Sequence, residues 1–512
     1  MLRRLARRAA SPWGLRRSLL ARAFSSRESD TIYALSTAEG KAGVAVIRVS
    51  GEQAATCLTS MTHHTRLPAP RRATFRSLYH PKTDEKLDEA LAIYFPQPNR
   101  YYHWLCLHVD KASLSQGKMV SFTGEDVVEF HVHGSAAVVS GVLEALSHIP
   151  NCRAAEAGEF TERAFDNNKI DLMQVEGLAD LLSAETEAQR SQALRQLSGD
   201  IGDVYEQWRD ELVRCLAHAE AMIDFGDDED DVTDAAYMAA VRRVQTLAES
   251  IRGHLADGRR GEIMRSGVQV AIVGPPNAGK SSLLNILARR PAAIVSSIAG
   301  TTRDIVQVPL NIAGYPVLVS DTAGLRETED LIEKEGVARA QQCAADADIR
   351  VVMMDVQDSN DLFTDEYLQY LTHDNTLLVL NKVDQAEARE TSLTPVLAAL
   401  EQHAIRCQVL VVSCVQNEGI DALIDELALA VKARLQNASS TASSGAIITR
   451  ERHRQHLTEC LRCLEQFLQY PEQSEIAAED LRRAVTSIGR ILGRIDVEDV
   501  LDVLFADFCI GK

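Results

Sequence analysis

Short runs of β-branched and aromatic residues alternating with polar ones recur early in the chain. They are T-I-Y-A-L-S-T from Thr31, G-V-A-V-I-R-V-S-G from Gly43, A-L-A-I-Y-F-P from Ala90 and D-V-V-E-F-H-V-H-G from Asp126. A period of two bounded by glycine predicts half-buried strands, so residues 31–150 read as a mixed α/β domain. Residues 101–120 break that pattern and read as an inserted loop. From about Ala154 to Gly258 the period lengthens to that of a helix, in text rich in Ala, Leu, Glu and Gln. The run F-G-D-D-E-D-D, Phe225 to Asp231, interrupts these helices as a solvated loop, a metal-binding loop being the alternative. Strands and helices alternate again over 266–435 as in a parallel sheet, and Gln436–Ala446 has the composition of a flexible linker. Helical periodicity then resumes from Thr449 to Phe508. Helices on both sides of an α/β unit predict one helical domain, 151–265 with 446–512, into which a middle domain, 266–445, is inserted.

At 512 residues the chain exceeds what one hydrophobic core supports. No stretch approaches the roughly 20 apolar residues of a bilayer-spanning helix, so no membrane insertion is expected. Residues 1–27 hold eight arginines and no Asp, Glu or Lys. Arginines spaced by Leu and Ala ahead of Ser25 and Ser26 predict a cleaved mitochondrial presequence over 1–30, which would deliver the chain to the matrix. A basic arm that binds nucleic acid would have the same composition. Without these eight arginines the formal charge moves from −19 to −27, too acidic a body for general nucleic-acid binding. RNA contact must then use a local patch or a partner protein. Ten cysteines follow no repeating frame, and the lone C-x-x-C of Cys460 and Cys463 reads as a pair of helix-packing thiols.

The chemistry is most explicit in the middle domain. The apolar run V-Q-V-A-I-V leads into G-P-P-N-A-G-K-S, Gly274 to Ser281, and then into helical text. This is the phosphate-binding loop in its strand–loop–helix setting: backbone N–H groups close around phosphate, Lys280 reaches the β- and γ-phosphates, and Ser281 binds Mg²⁺. D-T-A-G, Asp321 to Gly324, follows another apolar strand and places Asp321 toward the metal and Gly324 toward the γ-phosphate. N-K-V-D, Asn381 to Asp384, supplies a carboxylate that accepts from guanine N1–H and N2–H₂, a pairing adenine cannot make. Ser413-Cys414 falls where a loop meets the guanine O6, and Thr301-Thr302 reads as the switch pair, with Thr302 on Mg²⁺. The expected GTP contacts are therefore Gly274, Asn277, Ala278, Gly279, Lys280, Ser281, Ser282, Thr301, Thr302, Asp321, Thr322, Ala323, Gly324, Asn381, Lys382, Asp384, Ser413 and Cys414. Leu325 stands where Ras-type GTPases place a water-orienting glutamine, so catalysis needs another source of charge and alignment.

G-P-P-N-A-G-K-S-S, I-A-G-T-T-R-D, D-T-A-G-L-R and the terminal F-C-I-G-K together resemble the MnmE (TrmE) family of tRNA-modification GTPases in its mitochondrial form. The resemblance spans residues 31–512 apart from the insertion. It implies a multidomain fold, α/β plus all-α: a tetrahydrofolate-binding N-terminal domain, a helical domain and an inserted Ras-like G domain. It implies a homodimer formed through the N-terminal domain, whose G domains meet in the GTP state. A K⁺ ion held by Asn277, Ser296, Ile298 and Thr301 would replace an arginine finger, and Glu333 would orient the attacking water. Arg48, Glu129, Lys169 and Lys512 match folate-contacting positions, for a 5,10-methylene- or 5-formyl-tetrahydrofolate, and Cys509 lies near the one-carbon unit. The implied partners are an FAD-containing protein of the MnmG type and mitochondrial tRNA, whose wobble uridine would receive a taurinomethyl-type group at C5. The rival reading is a ribosome-assembly GTPase of the Era or Der type, which would add a KH domain or a second G domain after residue 435; helical text follows instead.

F-C-I-G-K by itself has the outline of a prenylation box, but Gly511 and Lys512 suit that role poorly. The apolar face of D-V-E-D-V-L-D-V-L-F-A-D-F is expected to carry the chain end into the fold. Whether Cys509 reacts or only positions is left open by the sequence.

Overall fold

The computed structural model describes residues 30–97, 121–225, 230–290, 307–321, 342–357, 365–373, 375–385, 389–436, 447–471, 473–495, 498–506 and 508–511. The presequence segment, the 101–120 insertion, Ser296, Ile298, Thr301, Thr302, Thr322, Ala323, Gly324, Glu333 and Lys512 lie outside the described residues, as do most of the acidic run and the linker. Two compact units emerge, one ending at Val175 and resuming at Asp496, the other running from Glu176 to Ile495.

The first unit is built on six strands: β1 (Thr31–Leu35), β2 (Ala42–Ser50), β3 (Thr74–Tyr79), β4 (Lys86–Phe95), β5 (Val127–Gly134) and β6 (Cys152–Ala154). They pair in the order β3-β4-β5-β2-β1-β6, with only β1–β6 parallel. Alternation decides the faces. Ala45, Ile47 and Val49 of β2 and Phe130 and Val132 of β5 turn inward to meet helices α1 (Ala54–Thr62) and α2 (Ala136–Ser147). The intervening Arg48 and Glu129 fall on the opposite face, directly across from each other in register. The unit reaches beyond residue 150 because β6 completes the sheet and the helix α3 (Glu159–Asp166) follows it. Cys57 of α1 and Cys152 of β6 are free thiols in contact, 3.5 Å apart.

In the second unit the helices α4 (Leu172–Ser183, beginning in the first unit's last residues), α5 (Glu187–Leu197), α6 (Asp200–Phe225), α7 (Asp230–Leu255) and α8 (Arg260–Ser266) precede a second sheet. The sheet contains β7 (Val268–Val273), β8 (Gln307–Ile312), β9 (Tyr315–Asp321), β10 (Ile349–Asp355), β11 (Thr376–Asn381) and β12 (Gln408–Val411). Its order is β12-β11-β10-β7-β9-β8, parallel except for the β8–β9 hairpin. Helices α9 (Lys280–Ala288), α10 (Asp365–Leu371) and α11 (Arg389–Gln402) lie between these strands in sequence, and α12 (Ile420–Gln436) follows the last of them. Both sheet faces are covered: Leu283, Leu287, Leu423 and Leu427 pack on one, Tyr370, Leu371, Val396 and Leu400 on the other. Such two-sided burial is why β10 and β11 are continuous apolar runs rather than alternating ones.

The chain then returns to the helical body as α13 (Glu451–Gln469) and α14 (Ser474–Ile491). α6 packs on α7 and α14, and α13 packs on α7 and α14, closing a four-helix body. The spacing of Leu457, Cys460, Leu464 and Phe467 puts one stripe of α13 in the core, which gives the C-x-x-C cysteines their packing role. The insert leaves and re-enters this body at one place, because a side chain on Gly261 of α8 would collide with the carbonyl of Ile448.

A buried charge cluster ties α4 to the start of α13. Glu176, only 2% exposed, faces Arg452 Nη2 at 2.9 Å, His453 Nε2 at 2.9 Å and Arg450 Nε at 3.6 Å. Arg450 also donates to Asp180 at 2.9 Å. Burial acts to raise the pKa of Glu176, but His453, Arg450 and Arg452 outweigh it and hold the carboxyl at about 2. The last helix, α15 (Glu498–Ala506), belongs to the first unit.

Candidate nucleotide site and the docked chain end

The nucleotide loop hangs between β7 and α9, at the carboxyl end of the sheet's central strands. Gly279 adopts φ +104°, and a Cβ there would run into the side-chain amide of Asn381. A Cβ on Gly274 would meet the Met353 carbonyl of β10. The loop is thereby pressed against β10 and β11 at both glycines, leaving a backbone cradle whose next element is a helix N-terminus. The Lys280 ammonium is buried and donates to the carbonyls of Gly274 at 2.7 Å and Pro275 at 2.8 Å, bridging the loop's first turn. Ser281 and Ser282 follow in the first turn of α9. Asn277 takes the left-handed conformation, φ +62°, at the loop's tip.

Asn381 joins the motifs that the sequence keeps apart. Its Nδ2 donates to the Ala278 carbonyl at 2.8 Å, and its Oδ1 accepts the Cys414 backbone N–H at 3.1 Å. One buried amide thus fixes the phosphate loop to the 413–414 loop. The Ser413 hydroxyl donates to Asp384 Oδ1 at 2.5 Å and accepts the Gln416 N–H, which orients the carboxylate expected to read guanine. Lys382, at φ +65°, extends its ammonium to Asp355 at the end of β10, 2.7 Å away. Burial, reinforced by Asp384, pushes the Cys414 thiol up to about 11, so it stays protonated and unreactive. Asp321 ends β9, paired in register with Ile272 of the strand that feeds the phosphate loop. Gly274, Asn277 to Ser282, Asn381 to Asp384 and Ser413-Cys414 therefore converge on one end of one sheet. No motif pointed to Asp355. Its signal was a lone carboxylate ending the buried strand I-R-V-V-M-M-D.

On the first unit, Arg48 Nη2 and Nε both reach Glu129 Oε1, at 2.9 and 3.1 Å. The guanidinium lies over the rings of Phe122, 5.5 Å, and Phe160, 5.8 Å. Lys169 lays its aliphatic stem against Gly124, in the same loop as Phe122. Two residues chosen by resemblance are thus one half-buried ion pair bracketed by two aromatic rings that no motif marked. A planar heterocycle with donors and a carboxylate tail is a chemical match for such a group.

The chain end is docked. Phe508 is buried, Ile510 forms an antiparallel bridge with Ala157, and the Ser36 hydroxyl donates to the Gly511 carbonyl at 2.9 Å. Gly511 takes φ +94°, and a Cβ there would strike the carbonyl of Leu35. This seat leaves Cys509 exposed. Gly511→Ala is expected to unseat the tail, since the left-handed conformation alone costs about 1–2 kcal/mol and the collision adds to it. Carboxypeptidase digestion of the folded protein should accelerate at least several-fold; an unchanged rate would mean the seat tolerates a side chain.

His80, Glu144 and His148 form a further cluster of metal-ligating type. His80 Nδ1 accepts the N–H groups of Lys82 and Thr83, both at 3.1 Å, which puts the ring proton on Nε2, 2.9 Å from Glu144. His148 Nδ1 faces the Lys82 ammonium, while its Nε2 lies 2.7 Å from Glu144. The nitrogens that would face a metal carry the protons, so the cluster is a carboxylate accepting two imidazole N–H groups.

The profile of the MnmE helical domain matches residues 172–509, and that of the GTP-binding protein TrmE N-terminus matches 31–104 and 108–169. Among similar proteins, the mitochondrial 5-taurinomethyluridine tRNA synthase subunit GTPB3 of Danio rerio is 45% identical over 496 residues, covering 94% of this chain and 93% of that one. The tRNA modification GTPase MnmE of Parvibaculum lavamentivorans is 48% identical over 489 residues, covering 94% of this chain and all of that one. The Homo sapiens GTPB3 subunit is 43% identical over 493 residues, with 94% and 93% coverage. With both profiles and near-complete alignments in agreement, the chain belongs to the MnmE (TrmE) family of tRNA-modification GTPases.

Proposed function

We propose that this GTPase is the GTP-hydrolysing subunit of the mitochondrial machinery that modifies C5 of the wobble uridine in tRNA, installing a taurinomethyl-type group from a folate-borne one-carbon unit. The observation that supports the reading is the Asn381 amide, which binds the phosphate loop to the 413–414 loop and so brings the separate motifs together as one guanine-nucleotide site requires. Mitochondrial relatives of near-equal length bear the taurinomethyluridine name.

In this reading Gly274 to Ser282 hold the phosphates and Asp384 holds the base. Lys280 exchanges its two loop carbonyls for β- and γ-phosphate oxygens, so the ammonium need not be desolvated anew on binding. Mg²⁺ would be held by Ser281 and Thr302, and K⁺ by Asn277, Ser296, Ile298 and Thr301, supplying positive charge beside the β–γ bridge. Glu333 takes over the water-aligning task that Leu325 cannot perform. On the first unit, Arg48, Glu129, Lys169 and Lys512 bind the folate, with Cys509 beside its one-carbon group. The active species is a homodimer joined through the N-terminal domain, working with an FAD-containing partner of the MnmG type on mitochondrial tRNA.

Mass spectrometry of mitochondrial tRNA from cells lacking the chain, rescued with wild type, Lys280→Ala or Cys509→Ser, tests the reading. Wild type should restore the modified wobble uridine and Lys280→Ala should not. Rescue by Cys509→Ser would assign the thiol a positioning role, and failure a chemical one. Normal modification without the chain would sink the proposal.

A further inference from the structure

The chain carries 73 acidic residues among 512, about one in seven, yet none occurs from Gln53 to Ala55 or anywhere onward to Thr83. Within that gap Arg66, Arg71, Arg72, Arg76 and Lys82 add five positive charges. The fold places them together, because the loop after α1 leads directly into β3, the outermost strand of the N-terminal sheet. Arg66, Arg71, Arg72 and Lys82 are exposed and Arg76 is partly so.

Three features make this a built surface rather than a solvated charge run. The loop is held in place: Pro68 and Pro70 restrict it, Arg71 N–H donates to the Tyr94 carbonyl at 2.8 Å, and the Thr74 hydroxyl donates to the Arg72 carbonyl at 3.2 Å. Three neighbouring acids are engaged elsewhere: Asp84 with His63 at 3.0 Å, Glu89 with Lys86 at 2.6 Å, and Glu144 with His80 and His148. Among the described residues no carboxylate lies within ion-pair distance of Arg66, Arg72 or Arg76. An aromatic pair also borders the loop, His63 stacked on Tyr79 with ring centres 4.4 Å apart.

We infer that the 63–82 edge of the N-terminal sheet is a tRNA-docking surface, on which the guanidiniums of Arg66, Arg72 and Arg76 bind backbone phosphates. The inference rests on the reading above that the chain acts on tRNA, and it identifies where an otherwise acidic body meets a polyanion. Guanidiniums held on a fixed loop grip phosphodiesters without reading sequence, which suits a surface that must accept several tRNAs.

The test uses the protein purified from mitochondria and a fluorescein-labelled tRNA with uridine at the wobble position. The triple variant Arg66→Glu/Arg72→Glu/Arg76→Glu is compared with a control of equal charge change on exposed arginines of the helical body, Arg195→Glu/Arg214→Glu/Arg242→Glu. The edge variant should bind at least tenfold more weakly at about 0.1 M salt, with the slope of log affinity against log salt reduced by roughly 2 to 3. Basal GTP hydrolysis and the melting curve should match wild type. Ultraviolet crosslinking of the unmodified full chain should recover tRNA-linked peptides from 63–82. Equal loss in both variants, crosslinks confined to other segments, or no tRNA binding by wild type would overturn the inference. So would tighter capture of polyglutamate than of tRNA, which would mark the edge as a site for acidic polypeptide. A chain that restores wobble modification in cells while its edge variant binds tRNA normally would refute the docking surface and leave the proposed function standing.

Discussion

Asp384→Asn is expected to lower GTP affinity about a hundredfold and to admit xanthosine triphosphate in its place. Two charge-assisted hydrogen bonds to guanine N1–H and N2–H₂ are at stake, and losing their match costs about 3 kcal/mol, or two decades in affinity. An asparagine amide offers a donor where xanthine presents a C2 carbonyl. The exchange should be clean because the Ser413 hydroxyl, 2.5 Å from Asp384, can still donate to an amide oxygen and hold the side chain in place. Asn381→Ala is the contrasting case: it releases Ala278 and Cys414 together and should weaken both nucleotides alike. Titrations with fluorescent GTP and XTP separate the two. Unchanged GTP affinity in Asp384→Asn would mean that this carboxylate does not face the base.

Glu176→Ala should destabilise the helical body by about 3–5 kcal/mol, since it leaves Arg450, Arg452 and His453 facing one another without their shared anion. Hydrogen exchange at α4 and α13 amides is the measurement of choice in a multidomain chain, because it reads that body alone. A loss below about 1 kcal/mol would show that the cluster relaxes into solvent. The same carboxylate sets a pH dependence. Its folded pKa, about 2, lies below the unfolded value near 4.5, so its contribution is complete at neutral pH. It disappears as pH falls from about 4.5 through about 2, and is worth on the order of 3 kcal/mol. Glu176→Gln should flatten that limb.

The inserted arrangement was legible because periodicity carries it: period two in β2 and β5, continuous apolar runs in β10 and β11, and a 3.6 repeat in α13. The nucleotide loop was legible because glycine and lysine at fixed offsets have few other uses between a strand and a helix. What periodicity omits is pairing at long range. Nothing local marks Cys152–Ala154 as the strand that lies parallel to β1, or Arg48 as the partner of a glutamate 81 positions away. Asn381 reads as part of a guanine motif, whereas in the fold its amide works on the protein itself. The tail illustrates the limit best. Its apolar pattern predicts burial, but only the fold shows that Gly511 is required by the Leu35 carbonyl.

The contact between Gly261 and Ile448 sets the two ends of the nucleotide-binding insert side by side, and a second attachment forms where the Ala188 N–H of α5 donates to the Gly314 carbonyl of the β8–β9 hairpin at 3.1 Å. Its two ends are already adjacent, so the insert closes its own loop at little cost in chain entropy. Force generated in the insert therefore reaches the host at two separate points, the paired chain ends and the hairpin seated on α5, and a pair of such points can turn a body as well as pull on it.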